Sequence, residues 1–439
     1  MSTTSSATLD TIVALCKRRG FVYPSADLYG GLNGLYDFGH LGILMKNKIK
    51  NAWQKAIFAA SSDILLFDGA IIGPEIVWQA SGHVQNFHDP MIDCLKCKKR
   101  FRADDPDIAN GCPNCGSTQW TEVQQFNMMF QTQAGASASH STTAYLRPET
   151  AQTIFANFKN IISSNRVKIP FGVAQIGKSF RNEITPKQFL FRVREFEQME
   201  LEWFCHGDQS NKFFEFWCAQ RLAFYQTLGI QKNRTRLRPH EKNELAHYST
   251  QCSDVEYQFP FGWKELEGIA DRGNYDLKQH MSFANKDLSV FDEQTQTSFI
   301  PHVIECSVGV DRLFLTLLFD AYHEDLVGDD SRVVLKLNPG IAPITAAILP
   351  LTKKLNEPAL RIFKDLALTW GPSIEFDDTG SIGKRYRRYD EIGTPVCLTY
   401  DFDSEQDAKV TARNRDTLVQ ERIAIDSIDR YLIDLLKAG

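Results

Sequence analysis

The stretch Phe180–Glu200, FRNEITPKQFLFRVREFEQME, constrains this chain more than any other. Arg181 and Glu183 stand two residues apart, a loop containing Pro186 follows, and Arg192, Phe196 and Glu200 come at four-residue steps. Two strands joined by a polar loop would project Arg181, Glu183, Arg192 and Phe196 toward one cleft. Two fixed guanidinium groups suit phosphate oxygens. A ring between them suits a stacked base, and a carboxylate beside them suits an amine or Mg²⁺. Such a set would hold a nucleoside triphosphate without a Gly-rich phosphate loop. In isolation the same residues also fit a charged, solvated hairpin.

At 439 residues the chain exceeds a single core, so two or three domains are expected. Hydrophobic content of 43% and charged content of 23% are those of a soluble globular protein. No apolar run reaches the ~20 residues that span a bilayer. The first residues, MSTTSSATLD, lack the basic segment and apolar stretch of a signal peptide. No membrane association and a cytoplasmic location are therefore expected. A net charge of −5 neither supports nor excludes nucleic-acid binding, which depends on local patches. Basic clusters occur at Lys17 to Arg19, Lys96 to Arg102, Lys384 to Arg388, and Arg413 with Arg415.

Four of ten cysteines form CLKC and CPNC: Cys94, Cys97, Cys112 and Cys115. This spacing matches a four-thiolate zinc site, and Pro113 and Gly116 suit its tight turns. A four-thiolate site is closed, hence structural. The other six cysteines are scattered, which fits reduced thiols better than a disulfide framework.

Residues 9 to 20 read as a helix ending at Gly20, and about Ile43 to Ala59 as a long amphipathic helix with Leu44, Ile49, Trp53, Ala56 and Ile57 on one face. ILLFDGAIIGP reads as one strand ending at Gly73-Pro74. Residues 92–121 form an insertion without a core of its own. A helix follows Pro148, strands flank the Pro186 loop, residues 210–229 are helical, and strands break at Pro260-Phe261-Gly262. HVIECSVGVDRLFLTLLFDAY reads as strand, Gly309 turn and buried helix. Near residue 330 a compact α/β pattern with a mixed sheet begins. Its last segment, TLVQERIAIDSIDRYLIDLLKAG, carries helical periodicity.

In ECSVGVDR, Glu305, Ser307 and Arg312 surround a helix-opening turn suited to an anion. Together with YDFGHLG, WQASGHVQNFHDPM, YLRPETAQ, the Phe180–Glu200 stretch, WKELEGIADR and GKRYRRYDEIGTP, this segment resembles the signature motifs of class II aminoacyl-tRNA synthetases. The detail is similar to the homodimeric glycyl-type branch, over nearly the whole chain.

The resemblance implies an α+β fold. Its antiparallel-sheet catalytic domain would cover residues 1–330, with the 92–121 zinc-ribbon-like insertion, and an α/β anticodon-binding domain residues 331–439. It implies a glycine–tRNA ligase that uses Mg²⁺ with ATP, carries structural Zn²⁺, charges tRNA(Gly) and forms a homodimer through the long N-terminal helix. Arg181 would touch the amino-acid carboxylate and α-phosphate, Glu183 the adenine amino group, Arg192 the γ-phosphate and Phe196 the adenine ring. Arg312 would lie across the ATP, with Asn182, Phe191, Val193, Glu265 and Leu266 completing the ATP set. Arg181 and Arg312 carry the catalytic assignment. The glycine set is Arg102, Glu149, Glu200, Arg272, Glu305 and Ser307, with Arg272 as carboxylate partner. Carboxylates around one ammonium repel one another when empty and are relieved on binding. A pocket that cannot admit a methyl needs no second sieve.

The chain departs from the branch at Thr153, usually Gly, and Cys306, usually Pro, both expected beside the pocket. In the C-terminal domain, Tyr386 or Tyr389 would stack on splayed bases. Lys96, Lys98, Lys99 and Arg100 would either touch the tRNA acceptor arm or only support the insertion. Rival readings are a catalytically dead accessory subunit, a small-molecule ligase and another amino-acid specificity. Retention of Arg181, Arg192 and Arg312, the C-terminal domain, and the three glutamates weigh against them in that order.

Overall fold

The computed structural model describes residues 7–136, 141–293, 295–328 and 330–438. Helix α1, Leu9–Arg19, starts where the Thr8 hydroxyl accepts from Thr11 N at 3.2 Å and stops at Gly20, which takes φ 74°. Helix α2, His40–Ala60, is slightly longer than expected and buries Leu41, Met45, Ile49, Trp53 and Ile57. Leu44 and Ala56 are only half-buried.

A seven-stranded sheet is the centre of the molecule. Its strands are β1 Ile64–Phe67, β2 Phe171–Phe180, β3 Glu195–Cys205, β4 Thr235–Pro239, β5 Gln251–Phe259, β6 Gly262–Gly273 and β7 His302–Gly309. The order is β4-β5-β6-β7-β3-β2-β1. Every pairing is antiparallel except β2 with β1. The expected single strand over 64–74 is two: it breaks at Asp68-Gly69, and Ile72–Pro74 joins a different sheet, against Thr142–Leu146.

Alternation along β3 explains how the sheet is covered. Met199, Leu201 and Trp203 enter a core with Trp217 and Tyr225 of helix α4 (Ser210–Thr227) and Leu313, Phe314 and Leu317 of helix α6 (Val310–Ala321). Phe204 on the other face packs with Phe155, Phe158, Phe171, Leu277 and Val303. Above that second cluster the face stays open and carries polar side chains. Lys46 of α2, 2% exposed, ties the layers together, 2.8 Å from Glu197 of β3 and 3.2 Å from Asp311 of α6.

The paired cysteines sit on a small sheet of His88–Asp93, Arg100–Arg102 and Gln124–Asn127. The change of pattern near residue 330 falls inside a hairpin, Tyr322–Val327 with Asp330–Leu335. Beyond it lies a mixed sheet of β8 Ala346–Pro350, β9 Ile374–Phe376, β10 Val396–Tyr400, β11 Lys409–Asn414 and β12 Gln420–Ala424, in order β9-β8-β10-β11-β12. The final segment is α-helical only over Ile428–Ala438, after a 3-10 turn at Ile425–Ser427; Gln420–Ala424, expected as helix, pairs with β11. The main core continues through Leu335, Leu337, Ile344, Ala347 and Leu349 into this sheet. Among the described residues, no helix is long and apolar enough to cross a membrane.

Candidate active site

The open face is built by register. Glu200 of β3 lies opposite Ser307 of β7, and Glu202 opposite Glu305. The loop between β2 and β3 rises beside it, and the start of α6 closes the other side. The result is a cleft of about 490 Å³ lined by Arg181, Glu183, Phe191, Arg192, Val193 and Phe196 together with Glu149, Glu200, Glu265, Glu305, Ser307 and Arg312. Arg102 lines it as well.

The arginines are held flat and apart. Arg181 lies between the rings of Phe196 at 5.3 Å and Phe87 at 5.5 Å, and its Nε donates to Pro148 O at 3.2 Å. Arg312 stacks 4.4 Å over Phe191 and donates to Glu265 O at 2.9 Å, with the Glu265 carboxylate 3.2 Å away. That pairing draws the Glu265 carboxyl below its ordinary value. Glu183 is buried, and burial raises its carboxyl pKa against the opposing pull of Arg192 and Arg181.

The glutamates form a second group. Glu200 Oε2 accepts from Thr150 N at 3.0 Å and from the Thr150 hydroxyl, while Ser307 Oγ donates to Oε1 at 2.8 Å. Burial and then the Glu149 charge raise the pKa of Glu200. Glu149 accepts from Gln152 at 2.9 Å and lies 3.3 Å from His83 Nε2. Burial opposes its ionisation, but His83 and Arg272 hold it well below the usual range. Burial pushes Glu305 up to about 8 despite Arg272 beside it.

Arg272 departs from its expected role. It is 1% exposed and does not line the cleft. Its Nε and Nη2 donate to Asp276 at 2.7 and 2.9 Å, its Nη1 to Glu305 at 2.5 Å, and Glu149 is 3.7 Å away. Tyr248 covers its face at 3.9 Å. A guanidinium so engaged holds glutamates in place and is not offered to a ligand carboxylate. Arg102, expected with glycine, is instead paired to Asp89 at 2.6 Å and Asp104 at 2.7 Å, and Glu183 is among the charges that act on it. The small cysteine-bearing sheet thus places it near the Arg192 side.

Asn182 and Leu266, expected in the ATP set, do not line the cleft. Asn182 N donates to Met128 O at 2.7 Å, and the Leu266 side chain is in the core on the far face. A register shift at Val255/Glu256 breaks simple alternation there: Glu265 faces the cleft, but Leu266 and Glu267 both face inward. Cys306 also points into the core and does not itself line the cleft. Thr153 lies a helical step from Thr150, whose carbonyl its hydroxyl reaches at 3.0 Å. Tyr389 is 2% exposed and hydrogen-bonded to Glu375, so it offers no stacking face; Tyr386 is half-buried under Arg413.

Sequence reasoning missed Tyr248 and Asp276. His83, Asp89 and Gln152 lie in stretches quoted for their resemblance, but without a role. Nothing in local spacing links Asp276 to Arg272 beyond their four-residue separation near a helix start.

The four cysteine sulfurs lie within 4.8 Å of one another, with Cys94–Cys115 and Cys97–Cys112 each at 3.6 Å. Tetrahedral zinc with thiolates at ~2.3 Å needs sulfurs about 3.8 Å apart, so the donor set fits.

This cleft and sheet are those of a class II synthetase, and comparison with known proteins agrees. Residues 135–322 match the model described as tRNA synthetase class II core domain (G, H, P, S and T), and residues 345–435 the model described as Anticodon binding domain. A third model, Origin-associated protein OapC, matches residues 92–170, which begin at the first cysteine pair. Prolyl-tRNA synthetase from Cryptosporidium parvum, solved with L-proline and AMP, superposes with TM-score 0.66 at 14% identity, over 98% of this chain and 76% of that one. The glycine–tRNA ligase of Caldanaerobacter subterraneus is 50% identical over 98% of this chain and 99% of its own, and that of Geobacillus thermodenitrificans 48% over 97% of each. The chain belongs to the glycine–tRNA ligase family of class II tRNA synthetases.

Proposed function

We infer that the protein activates glycine with ATP to glycyl-adenylate and transfers the glycyl group to the 3′ end of tRNA(Gly). The observation that carries the choice of glycine is the convergence of buried Glu149, Glu200 and Glu305 with Ser307 on a cleft that also holds Arg181. Glycine offers only an ammonium and a carboxylate. In this reading the glutamates take the ammonium, and Arg181, in place of Arg272, takes the carboxylate and the α-phosphate.

A glycine carboxylate oxygen attacks the α-phosphorus of ATP in line. The new O–P bond forms as the Pα–O bond to pyrophosphate breaks. Arg181, Arg192 and Arg312 position and neutralise the phosphates, and no side chain acts as nucleophile. The terminal ribose hydroxyl of tRNA then attacks the adenylate carbonyl, and AMP leaves. Glu265 is the carboxylate that would hold Mg²⁺ brought in with ATP, and the ion would supply charge neutralisation at the phosphates. Phe196 and Glu183 are assigned to adenine. Zinc on Cys94, Cys97, Cys112 and Cys115 would supply folding free energy to the small sheet and no chemistry to the reaction.

The reading divides the chain near residue 330 into the catalytic and anticodon-binding domains, with Lys384 and its basic neighbours toward tRNA. It assigns the protein to a cytoplasmic homodimer. Leu28, Tyr29, Leu32, Ile43 and Phe58, exposed along the N-terminal helix and the loop before it, support a partner surface there. Charging of tRNA(Gly) with labelled glycine tests the function. The expected result is charging with glycine and none with alanine; charging with alanine overturns the reading of the pocket.

A further inference from the structure

On the outer strands of the main sheet, three side chains of different chemistry converge. His240 follows β4, and its backbone N–H donates to Cys252 O at 2.9 Å, so the two stand directly across from each other. Asp254 lies two residues further along β5 and so on the same face. The imidazole nitrogen, the thiol sulfur and a carboxylate oxygen all lie within 4.8 Å of one another. His240 Nε2 is 2.8 Å from Asp254 Oδ2. Yet this nitrogen, shielded from solvent, has no hydrogen bond of acceptable geometry. Arg238, 3.7 Å from Asp254, is drawn off by Glu244 and Glu256, both at 3.1 Å.

We propose that His240, Cys252 and Asp254 form a zinc-binding site distinct from the four cysteines, at the rim of the cleft. One nitrogen, one thiolate and one carboxylate are a donor set zinc takes readily. Tetrahedral zinc holds such atoms roughly 3.2–3.8 Å apart, so small side-chain rotations complete the set. The cross-strand pairing fixes the backbone of two donors before any metal arrives. All three residues line the cleft, so a fourth coordination position faces it.

Occupancy has a consequence for the reaction. Glu244, Tyr248 and Ser249, in the loop that His240 opens, line the same cleft. Zinc fastens this loop to β5 and draws on Asp254, the carboxylate that feels the Glu265 charge across the cleft rim. Zinc at this site therefore inhibits adenylate formation, a consequence that rests on reading the cleft as the ATP site.

The test counts metal first. Wild type, Cys252→Ser and His240→Gln are equilibrated with zinc, gel-filtered and analysed for bound metal. The expected result is one zinc equivalent more in wild type than in either variant, whatever the four cysteines hold. Equal content in all three overturns the site. Zinc is then titrated into Mg²⁺-dependent ATP–pyrophosphate exchange, each protein normalised to its own zinc-free rate. Half-inhibition is expected at higher zinc in Cys252→Ser than in wild type, because the variant lacks the thiolate ligand. Bound zinc without inhibition in wild type overturns the inhibitory role. Absence of exchange in every protein, with the metal difference intact, overturns the ATP reading and leaves the site standing.

Discussion

Arg272 directs its donors to Asp276, Glu305 and Glu149 and does not itself line the cleft. Replacing it with Met leaves the buried Asp276 carboxylate without its guanidinium partner. A loss of about 3–5 kcal/mol in stability is expected by urea unfolding, because breaking a buried pair strands a charge. Arg181 is different, since its packing is between two rings at the cleft wall. Arg181→Ala is expected to lower kcat of pyrophosphate exchange by about 10²–10³-fold with little change in Tm; near-normal exchange contradicts its assignment. Glu305 adds a pH dependence. Its pKa, raised from 4.5 to about 8, means that the folded protein holds this proton more tightly than the unfolded chain does. The ligand-free protein therefore loses stability through this group as pH rises from about 4.5 to about 8. An ammonium favours the ionised form, so glycine binding at pH 7 is expected to release protons and to tighten up to about pH 8. Calorimetry in two buffers of different ionisation heat measures this; no proton release by wild type, or release unchanged in Glu305→Gln, contradicts it. Glu200, Glu305 and Ser307 were legible through the family's motifs, and strand pairing puts them on one face. Their partners were not, since Arg272 and Tyr248 meet the glutamates only through tertiary packing.

The hairpin of β2 and β3 was readable as an element because period-two patterning and the Pro186 loop agree. The strand expected over 64–74 fails at Asp68-Gly69, where the chain changes sheets, and Gln420–Ala424 looks helical although edge pairing with β11 decides it. The Leu266 side chain turns into the core for a third reason, a bulge that shifts the alternation by one. Among elements, α2 depends on Lys46. Lys46→Met leaves Glu197 and Asp311 buried without it, and a loss of about 3 kcal/mol is expected by urea denaturation. A change within error would show that Lys50, 3.1 Å from Glu197, suffices. The small sheet depends on its cysteines. Chelation is expected to open it to proteolysis between residues 94 and 117 and to lower exchange, because Asp89 and Arg102 ride on it into the cleft.

Across the whole molecule, the two sheets are joined by more than a linker. Arg18 and Arg19 of α1 both pair with Glu391, and Lys48 of α2 donates to Ala342 O at 2.5 Å and Thr345 Oγ1 at 3.0 Å. Arg332 of the connecting hairpin meets Asp390, which also holds Arg413 at 2.8 Å. Alternation of strand-like and helical segments signalled the start of a second α/β pattern, yet not this shared packing, which no local window contains. Function is expected to divide where chemistry divides: Lys384→Glu should lower tRNA charging while leaving pyrophosphate exchange unchanged, and equal loss of both contradicts a role for Lys384 toward tRNA. The central claim is a cleft that adenylates glycine, and ATP–pyrophosphate exchange with each of the twenty amino acids tests it most directly. Exchange with glycine alone is the expected result; exchange with any other amino acid, or with none in folded protein, contradicts it.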